Sequence, residues 1–368
     1  MSILYITRKF PPSIGGMQTQ SKEFYDTISG RNRVFLIAWG HSQFFLPFFM
    51  IYAFLRAAII LSTKEVEIIQ LGDMVLSPLG LVLKILFKKP VLTVSHGRDS
   101  VYSSLFYDHF TLGSAKRLDR VICVSCSNMK TLAVRGIPEG KLRVIPNGII
   151  VVNADNDNLN KEYCFNLIEK RFGIKLRGKN NILSVSRLVP KKGIREFVED
   201  VLPLISKKVD NVCFLVAGNG CEKDKIRQAV NRLNLKDKVY ILGNVEHGST
   251  TYKALFSVSD VFVMPNVRVN NDAEGFGVVA LEAALNKTPL VAYDVDGISE
   301  AVQNKENGVL IKEKETKLFS DAVCSFLKDN ALRQDFANRA KEYVVKKFCW
   351  GRIISMYEKE YLQLLKDG

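Results

Sequence analysis

Apolar runs and helix-length segments alternate along nearly the whole chain. Most of the runs are rich in β-branched residues and lack two-residue alternation, which is typical of parallel strands buried on both faces. The first half has six such runs, at Ile3–Thr7, Val34–Ala38, Val66–Leu71, Pro90–Ser95, Arg120–Ser125 and Leu142–Pro146. The second half has six more, at Asn181–Ser186, Val212–Ala217, Lys238–Leu242, Val261–Met264, Pro289–Tyr293 and Gly308–Ile311. This repetition predicts an α/β protein with two doubly wound domains.

The boundary between the two series is predicted at an Asn- and Asp-rich stretch. Residues Ile150–Asn160 form this stretch, which is typical of a loop or linker. We therefore predict an N-terminal domain over 1–160 and a second domain that begins at 161. The length of 368 residues suits two domains better than one core.

The segment Phe44–Leu61 is almost wholly apolar and admits three interpretations. It contains Pro47 and Arg56, and it is barely long enough to cross a bilayer. We expect a buried helix of the first domain. A helix lying partly in the membrane interface comes second, and a transmembrane helix third.

Composition and charge narrow the class of protein. The formal net charge is +14, which fits phosphorylated ligands, anionic lipid headgroups or nucleic acid. Because Lys and Arg are spread over both halves and no nucleic-acid motif is evident, we weight lipid and phosphate above nucleic acid. Seven cysteines and no evident secretory signal predict a cytoplasmic protein with reduced thiols. The Cys123/Cys126 pair reads as two buried small residues, with a redox or zinc pair less favoured.

Candidate chemistry is sought in the loops that follow strands, because parallel sheets bind ligands there. Residues Gly275–Gly277 precede a helix-forming run, so we predict a loop at a helix N-terminus that could bind phosphate or a polar sugar edge. Glu274 before this helix and Glu282 two turns into it could accept hydrogen bonds from vicinal hydroxyls. The alternative, a helix cap and a solvated helix residue, has equal weight on spacing alone.

Three further loops contain candidate ligand contacts. Arg187 and Lys192 follow a strand and could bind a diphosphate, although a solvated basic turn is the alternative. Gly15 and Gly16 would let backbone approach a phosphate closely, or would simply form a tight turn. His96, also at a strand end, could bind a sugar hydroxyl or transfer a proton, with a structural histidine as the alternative.

Together these motifs resemble the retaining glycosyltransferases of family 4 over nearly the whole chain. The Glu274-Gly-Phe-Gly opening and the spacing to Glu282 are specific for that group. The resemblance implies the GT-B fold, two Rossmann-like domains facing a central cleft. The ending from Phe348 resembles the family's last helices, which return to the first domain. We therefore add 345–368 to the N-terminal domain and end the nucleotide-sugar-binding domain, 161–344, there.

The resemblance also implies roles for individual residues. Glu282 would bind the ribose hydroxyls of the donor, and Val245 would touch the nucleobase through its backbone. Glu274, with the backbone around Phe276 and Gly277, would bind the donor sugar. The diphosphate would be held by Arg187, Lys192 and the Gly15–Gly16 loop, while His96 would face the donor sugar near the reacting centre.

The resemblance implies the reaction as well: transfer of a hexose-type sugar from a UDP- or GDP-sugar to an acceptor hydroxyl, with retention of configuration and without a metal. We read Asp294-Val-Asp296 as a coincidental match to a metal-binding motif. The charge and the apolar segment favour a lipid-linked acceptor in surface polysaccharide or glycolipid assembly, at the inner face of the cell membrane. A soluble sugar acceptor and a nucleotide-sugar 2-epimerase with the same fold remain alternatives.

Overall fold

The computed structural model describes residues 1–13, 15–41, 43–151, 160–270 and 272–367. Most of the predicted linker, 152–159, therefore lies outside the described residues. All twelve predicted strands are confirmed, with small shifts at their ends. They are β1 Ser2–Thr7, β2 Arg33–Ala38, β3 Ile68–Leu71, β4 Val91–Ser95, β5 Arg120–Cys123, β6 Leu142–Val144, β7 Asn180–Val185, β8 Val212–Ala217, β9 Val239–Gly243, β10 Val261–Met264, β11 Leu290–Asp294 and β12 Val309–Lys312.

Helices occupy the connections between these strands, and, among the described residues, three more follow the last strand. The longer ones are α1 Gly16–Ser29, α2 Leu46–Thr63, α3 Ser77–Phe87, α6 Cys126–Val134, α7 Lys161–Phe172, α10 Lys223–Arg232, α11 Thr250–Ser257, α12 Val278–Leu285, α14 Thr316–Lys328, α15 Asn330–Phe348 and α16 Trp350–Asp367. Short helical segments are α4 Arg98–Val101, α5 Gly113–Ala115, α8 Ile194–Glu196, α9 Leu202–Ser206 and α13 Ile298–Ala301. Residues Tyr107–Leu112 and Phe197–Val201 are π-helical.

Each half of the strand series forms one parallel six-stranded sheet. The first sheet has the order β2-β1-β3-β4-β5-β6, and the second has the order β12-β11-β10-β7-β8-β9. Strand order reverses beside β1 in the first sheet, between β1 and β3, and beside β7 in the second, between β7 and β10. Ligands of open α/β sheets bind beyond the carboxyl ends of strands at such reversals. The two sheets therefore each provide one favoured position for a ligand.

Contacts between Cα atoms divide the chain into two units. The first comprises Met1–Ile150, Asn271–Val278 and Phe348–Gly368, and the second comprises Val151–Asn270 and Val279–Lys347. These bounds differ from our predicted division chiefly in the segment around Glu274, which groups with the first unit. The reason is a close contact of Gly275 with the backbone at His96 in the first unit.

The C-terminal helix α16 packs within the first unit. The Tyr361 hydroxyl donates to Gln70 Oε1 at 3.1 Å, and Trp350 Nε1 donates to Glu23 Oε2 at 2.7 Å. A Cβ atom on Gly148 would lie 2.4 Å from the Trp350 ring, so only glycine fits beneath that indole. These contacts join α16 to the sheet and to α1.

Helix α2 corrects our expectation that the apolar segment Phe44–Leu61 is buried. Only Phe49, Ala53 and Ala57 of this helix are buried, where they pack on the first sheet. The opposite face is exposed, with Ile51 62% and Leu55 56% accessible to solvent. High apolar content predicted burial on all sides, but one sheet covers only one side of a helix. An interfacial helix remains a prediction.

A transmembrane α2 is difficult to reconcile with this topology. The helix is long and apolar enough to cross a membrane, with a mean hydropathy of 1.8. However, it connects β2 and β3, which both pair in parallel with β1. Because its buried face packs on that same sheet, the helix lies along the sheet instead of leading away from it.

Candidate active site

In the first unit, the carboxyl ends of β1 and β3 hold a buried ion pair. Arg8 follows β1 and Asp73 follows β3, with Arg8 Nε 2.9 Å from the Asp73 carboxylate. Asp73 is fully buried and also accepts from the backbone N–H of Val75 at 2.9 Å. A Cβ on Gly72 would approach Thr7 Oγ1 to 2.6 Å, so glycine permits the two strand ends to come this close. The strand ends at this reversal are thus held together by the Arg8–Asp73 ion pair and by the close packing of Gly72 on Thr7.

His96 lies beside this pair at the end of β4. Its Nε2 atom is 2.9 Å from the carbonyl oxygen of Gly72, and its backbone N–H donates to Asp99 Oδ2 at 3.1 Å. The imidazole is half-buried. Because a carbonyl only accepts, this contact makes Nε2 a donor and leaves Nδ1 as the acceptor in the neutral ring. The sequence predicted His96 at this edge but did not predict its neighbours Arg8 and Asp73.

The Asp99 carboxyl adds an electrostatic feature to the same loop. Burial raises its pKa above the usual value, and the nearby Asp73 carboxylate raises the pKa further, whereas His96 opposes the shift. A buried acid beside a second acid favours the neutral form because two negative charges in a poorly solvated site repel each other. In the loop after β4, which contains His96 and Asp99 and which we call the His96 loop, the protonation state of Asp99 therefore depends on folding.

The loop containing Glu274 packs against His96 in the first unit. A Cβ on Gly275 would lie 2.1 Å from the His96 carbonyl oxygen, and one on Gly97 would lie 2.3 Å from Gly275 Cα. Two glycines therefore face each other with no room for a side chain. Phe276 is buried, with its ring centroid 5.8 Å from that of Phe348. Glu274 itself is half-buried.

Gly277 and the Gly15–Gly16 pair each have a distinct setting. Gly277, with φ +83°, ends the loop just before α12 begins. Gly15, with φ +153°, is the N-cap residue of α1, and a Cβ on Gly16 would meet nothing within 4 Å. The N-terminal end of α1 therefore lies at two residues without side chains. Its first backbone N–H groups are suited to binding an anion.

In the second unit, Arg187 and Lys192 lie on a loop held by glycine contacts. The loop follows β7, where the strand order reverses, and Arg187 is exposed whereas Lys192 is half-buried. Gly193 has φ +62°, and a Cβ there would lie 1.8 Å from the Pro265 carbonyl oxygen. On the other side of the loop, a Cβ on Gly218 would lie 1.8 Å from the Ser186 carbonyl oxygen. The backbone that presents these two cations is thus fixed against the loops after β8 and β10.

Glu282 in the second unit is oriented by two side chains that the sequence did not point to. His247 Nε2 lies 2.6 Å from Glu282 Oε1, and the Tyr252 hydroxyl donates to Glu282 Oε2. Burial, together with the Glu282 carboxylate, raises the pKa of Tyr252 well above its usual value. The Glu282 side chain is 14% exposed, so it is not the solvated helix residue of the alternative interpretation.

The predicted base-binding loop is linked to Glu282 through His247. Val245 is half-buried in the segment between β9 and α11, and His247 lies in the same segment. This segment is closed by Ser249, whose hydroxyl accepts from the Tyr252 N–H at 3.2 Å. Val245, expected to contact the base, and His247, the partner of the expected ribose ligand Glu282, therefore lie on the same loop.

The predicted site residues thus fall into two groups, one in each unit. Within the first unit lie Gly15, Gly16, His96 and the segment Glu274–Gly277; within the second lie Arg187, Lys192, Val245 and Glu282. Among the described residues, no three His, Cys, Asp or Glu side chains are grouped as metal ligands. Cys123 is buried, Cys126 begins α6, and neither is in a disulfide.

Two family descriptions match successive parts of the chain. Residues 16–151 match Glycosyltransferase Family 4, and residues 168–343 match Glycosyl transferases group 1. An uncharacterized glycosyltransferase of Methanocaldococcus jannaschii is 28% identical, with 96% of each chain covered. A GDP-mannose-dependent alpha-(1-6)-phosphatidylinositol monomannoside mannosyltransferase of Mycobacterium tuberculosis is 24% identical, with 95% of this chain and 94% of that one covered.

The fold also has solved counterparts. The crystal structure of Anabaena HepE in complex with UDP and glucose matches with a TM-score of 0.76 and 18% sequence identity. The match covers 99% of this chain and 100% of HepE. At this level of identity the likeness establishes the fold, with two Rossmann-like units.

Proposed function

The chain belongs to the family 4 glycosyltransferases of GT-B fold, and from this premise we propose that it transfers a hexose-type sugar from a UDP- or GDP-sugar to an acceptor hydroxyl with retention of configuration. The observation that carries the proposal is the loop after β7, where exposed Arg187 and half-buried Lys192 stand at the strand-order reversal of the second sheet. Two cations at this position suit a nucleoside diphosphate.

In the proposed reaction, Arg187 and Lys192 stabilise the diphosphate as it leaves the sugar. The acceptor hydroxyl attacks the same face of the anomeric carbon from which the diphosphate departs, and the departing phosphate takes the hydroxyl proton. Positive groups aimed at a developing negative charge lower the barrier most when they are fixed beforehand. The glycine contacts of Gly193 and Gly218 supply that fixation. No residue needs to form a covalent intermediate.

Glu282 is proposed to bind the ribose hydroxyls and the backbone at Val245 to contact the base. His96 and Glu274, with backbone at Gly275, Phe276 and Gly277, are proposed to contact the donor sugar, and the Gly15–Gly16 turn to contact the phosphates. Support comes from the oriented carboxylate of Glu282 and from the His96 ring, which is held by the Gly72 carbonyl.

We propose that the acceptor is lipid-linked and that the enzyme works without a bound metal at the inner face of the cell membrane, in surface polysaccharide or glycolipid assembly. The net charge of +14 and the exposed apolar face of α2 support a lipid surface. The similar mycobacterial enzyme is named for a phosphatidylinositol-based acceptor, which is consistent with this class.

The test is a transfer assay with the purified chain. UDP-glucose, UDP-N-acetylglucosamine and GDP-mannose are each incubated with a bacterial lipid extract or with free monosaccharides, with and without EDTA. We expect one donor to label lipid, the product to show the one-bond C1–H1 coupling of an α-anomer by NMR, and EDTA to have no effect. A β-anomer would contradict retention, labelling of free sugar only would contradict the lipid acceptor, and EDTA inhibition would contradict metal independence.

A further inference from the structure

Exposed apolar side chains are concentrated in one part of the first unit. Among the described residues, fourteen of the 22 exposed large apolar side chains lie between positions 44 and 110. Soluble proteins rarely expose contiguous apolar patches of this kind without a binding role. The fourteen are Phe44, Phe45, Phe48, Ile51, Tyr52, Leu55, Ile59, Val82, Ile85, Leu86, Tyr102, Leu105, Phe106 and Phe110.

These side chains belong to three elements on one face of the first sheet. Helix α2, with the 3-10 turn Gln43–Phe45 just before it, connects β2 to β3. Helix α3 connects β3 to β4, and the segment Tyr102–Phe110 lies between β4 and β5. All three connections advance across the sheet in the same direction, so right-handed crossovers put them on the same face. Helix α2 packs on α3, and α3 packs on the π-helical residues that follow. We call this surface the apolar face.

The third element holds its apolar side chains on an anchored backbone. Leu105 and Phe106 are 94% and 72% exposed. Two hydrogen bonds hold the segment on either side of them. The Tyr107 hydroxyl donates to the Asp99 carbonyl at 2.9 Å, and Arg135 Nη1 donates to the Tyr102 carbonyl at 2.8 Å. Because the backbone is held at these points, Leu105 and Phe106 stay on the surface, where they can contact a binding partner.

Lysine and arginine side chains lie on and beside the helices of the apolar face, and the exposed Glu65 and Glu67 follow Lys64. Helices α2 and α3 contain Arg56 and Lys84 and no Asp or Glu, and Lys64 and Lys88 cap their C-terminal ends. Beside α3, burial lowers the pKa of Lys141, and the nearby Lys84 ammonium lowers it further. The acidic Asp119 and Asp108 are already paired with Lys84 and Arg135. An apolar surface with cationic edges is complementary to anionic lipid headgroups over an acyl layer.

We propose that the apolar face docks on an anionic lipid bilayer, with α2 lying flat in the interface. The exposed aromatic and aliphatic side chains enter the acyl boundary, while Arg56, Lys64 and Lys88 contact headgroup phosphates. Because Tyr102–Phe110 directly follows the His96 loop, docking brings that end of the first unit to the lipid surface. The docking surface specifies the membrane location given under the proposed function, and the delivery of a lipid-borne acceptor to His96 rests on that function.

The test is co-sedimentation of the purified full chain with vesicles. Vesicles of phosphatidylglycerol and phosphatidylcholine are compared with vesicles of phosphatidylcholine alone. Two variants remove apolar contacts from separate elements, Phe48→Ser/Leu55→Ser on α2 and Leu105→Ser/Phe106→Ser on the third element. The control variants Leu318→Ser and Leu332→Ser remove apolar side chains of the second unit that are 53% and 40% exposed.

We expect wild-type protein to bind the anionic vesicles, to lose binding in high salt, and to bind the neutral vesicles weakly. Each double variant should weaken binding by about tenfold or more, because two apolar side chains no longer leave water, while the controls bind as wild type does. Melting temperatures measured on the same samples check that the variants are folded.

Failure of wild-type protein to bind anionic vesicles, or equal loss in the control variants, would overturn the proposal. A dimer that forms through these residues in analytical ultracentrifugation, without vesicle binding, would identify a second copy as the occupant instead. Thermal stabilisation by UDP or GDP, measured in parallel, separates this proposal from the proposed function. Stabilisation without vesicle binding would reject the docking surface and the proposed membrane location but leave the donor site standing. Vesicle binding without stabilisation would reject the donor site but leave the docking surface standing.

Discussion

The two positions where strand order reverses carry arginine residues in opposite environments, one buried and one exposed. In the first unit, Arg8 is largely buried and paired with fully buried Asp73. In the second unit, Arg187 is exposed at the equivalent position of its sheet, on a loop held by Gly193 and Gly218. In a buried ion pair each charge is compensated by the other, and the pair holds the surrounding backbone in place. An exposed cation can instead bind a ligand. The comparison assigns a structural role to the first charge and a binding role to the second.

The largest expected effect is on stability, in the first unit. Asp73→Ala leaves the Arg8 guanidinium buried without its carboxylate, so we expect the free energy of unfolding to fall by about 3–5 kcal/mol. Urea denaturation measures this change. The matched control is Asp26→Ala, which removes an exposed pair with Lys22 and should cost at most about 1 kcal/mol. Equal effects would contradict a structural role for the buried pair.

The next effect is on catalysis, in the second unit. Arg187→Ala and Lys192→Ala should each lower kcat/KM by about 10²–10³-fold, because each removes a positive group from the departing diphosphate. The melting temperature should not change for Arg187→Ala, since that side chain is exposed. Lys236→Ala, an exposed lysine before β9, serves as the control and should retain full activity. Unchanged turnover in the first two variants would refute the diphosphate assignment.

A third prediction separates backbone strain from lack of space. Gly173 and Gly193 both have positive φ, +71° and +62°, but only Gly193 has a neighbouring carbonyl where a Cβ would lie. Gly173→Ala should destabilise by about 1 kcal/mol through strain alone. Gly193→Ala should destabilise more and should also lower kcat/KM, because the Lys192 loop must move. Equal unfolding free energies for the two variants would show that the loop accommodates the methyl group.

The smallest effect concerns pH. Because the pKa of Asp99 is raised by burial, the folded state keeps this proton over a range in which the unfolded chain has lost it. Stability contributed by this group should therefore fall as pH rises above about 4, the unfolded-state pKa of an aspartate. Unfolding of Asp99→Asn, measured by urea between about pH 4 and pH 7, should show a less negative slope than wild type. An unchanged slope would exclude Asp99 as its source.

The sequence predicted the strands well because buried parallel strands are continuous apolar runs with helix-length spacers. It also predicted that His96, Arg187 and Lys192 lie at carboxyl ends of strands. It could not predict Asp73 as the partner of Arg8, or His247 and Tyr252 as partners of Glu282, because these contacts join residues far apart in the chain. The error at α2 has a related cause. Apolar content predicts a preference for a nonaqueous surface, but not which surface covers the helix.

The most direct test of the account is calorimetric titration of the purified chain with UDP and GDP. One nucleotide should bind, and its affinity should fall about tenfold or more in Glu282→Gln, because a hydrogen bond to a charged group is weakened, and in Lys192→Ala. Asp26→Ala should bind as wild type does. Binding of neither nucleotide, or binding unaffected by both substitutions, would contradict a donor site in the second unit.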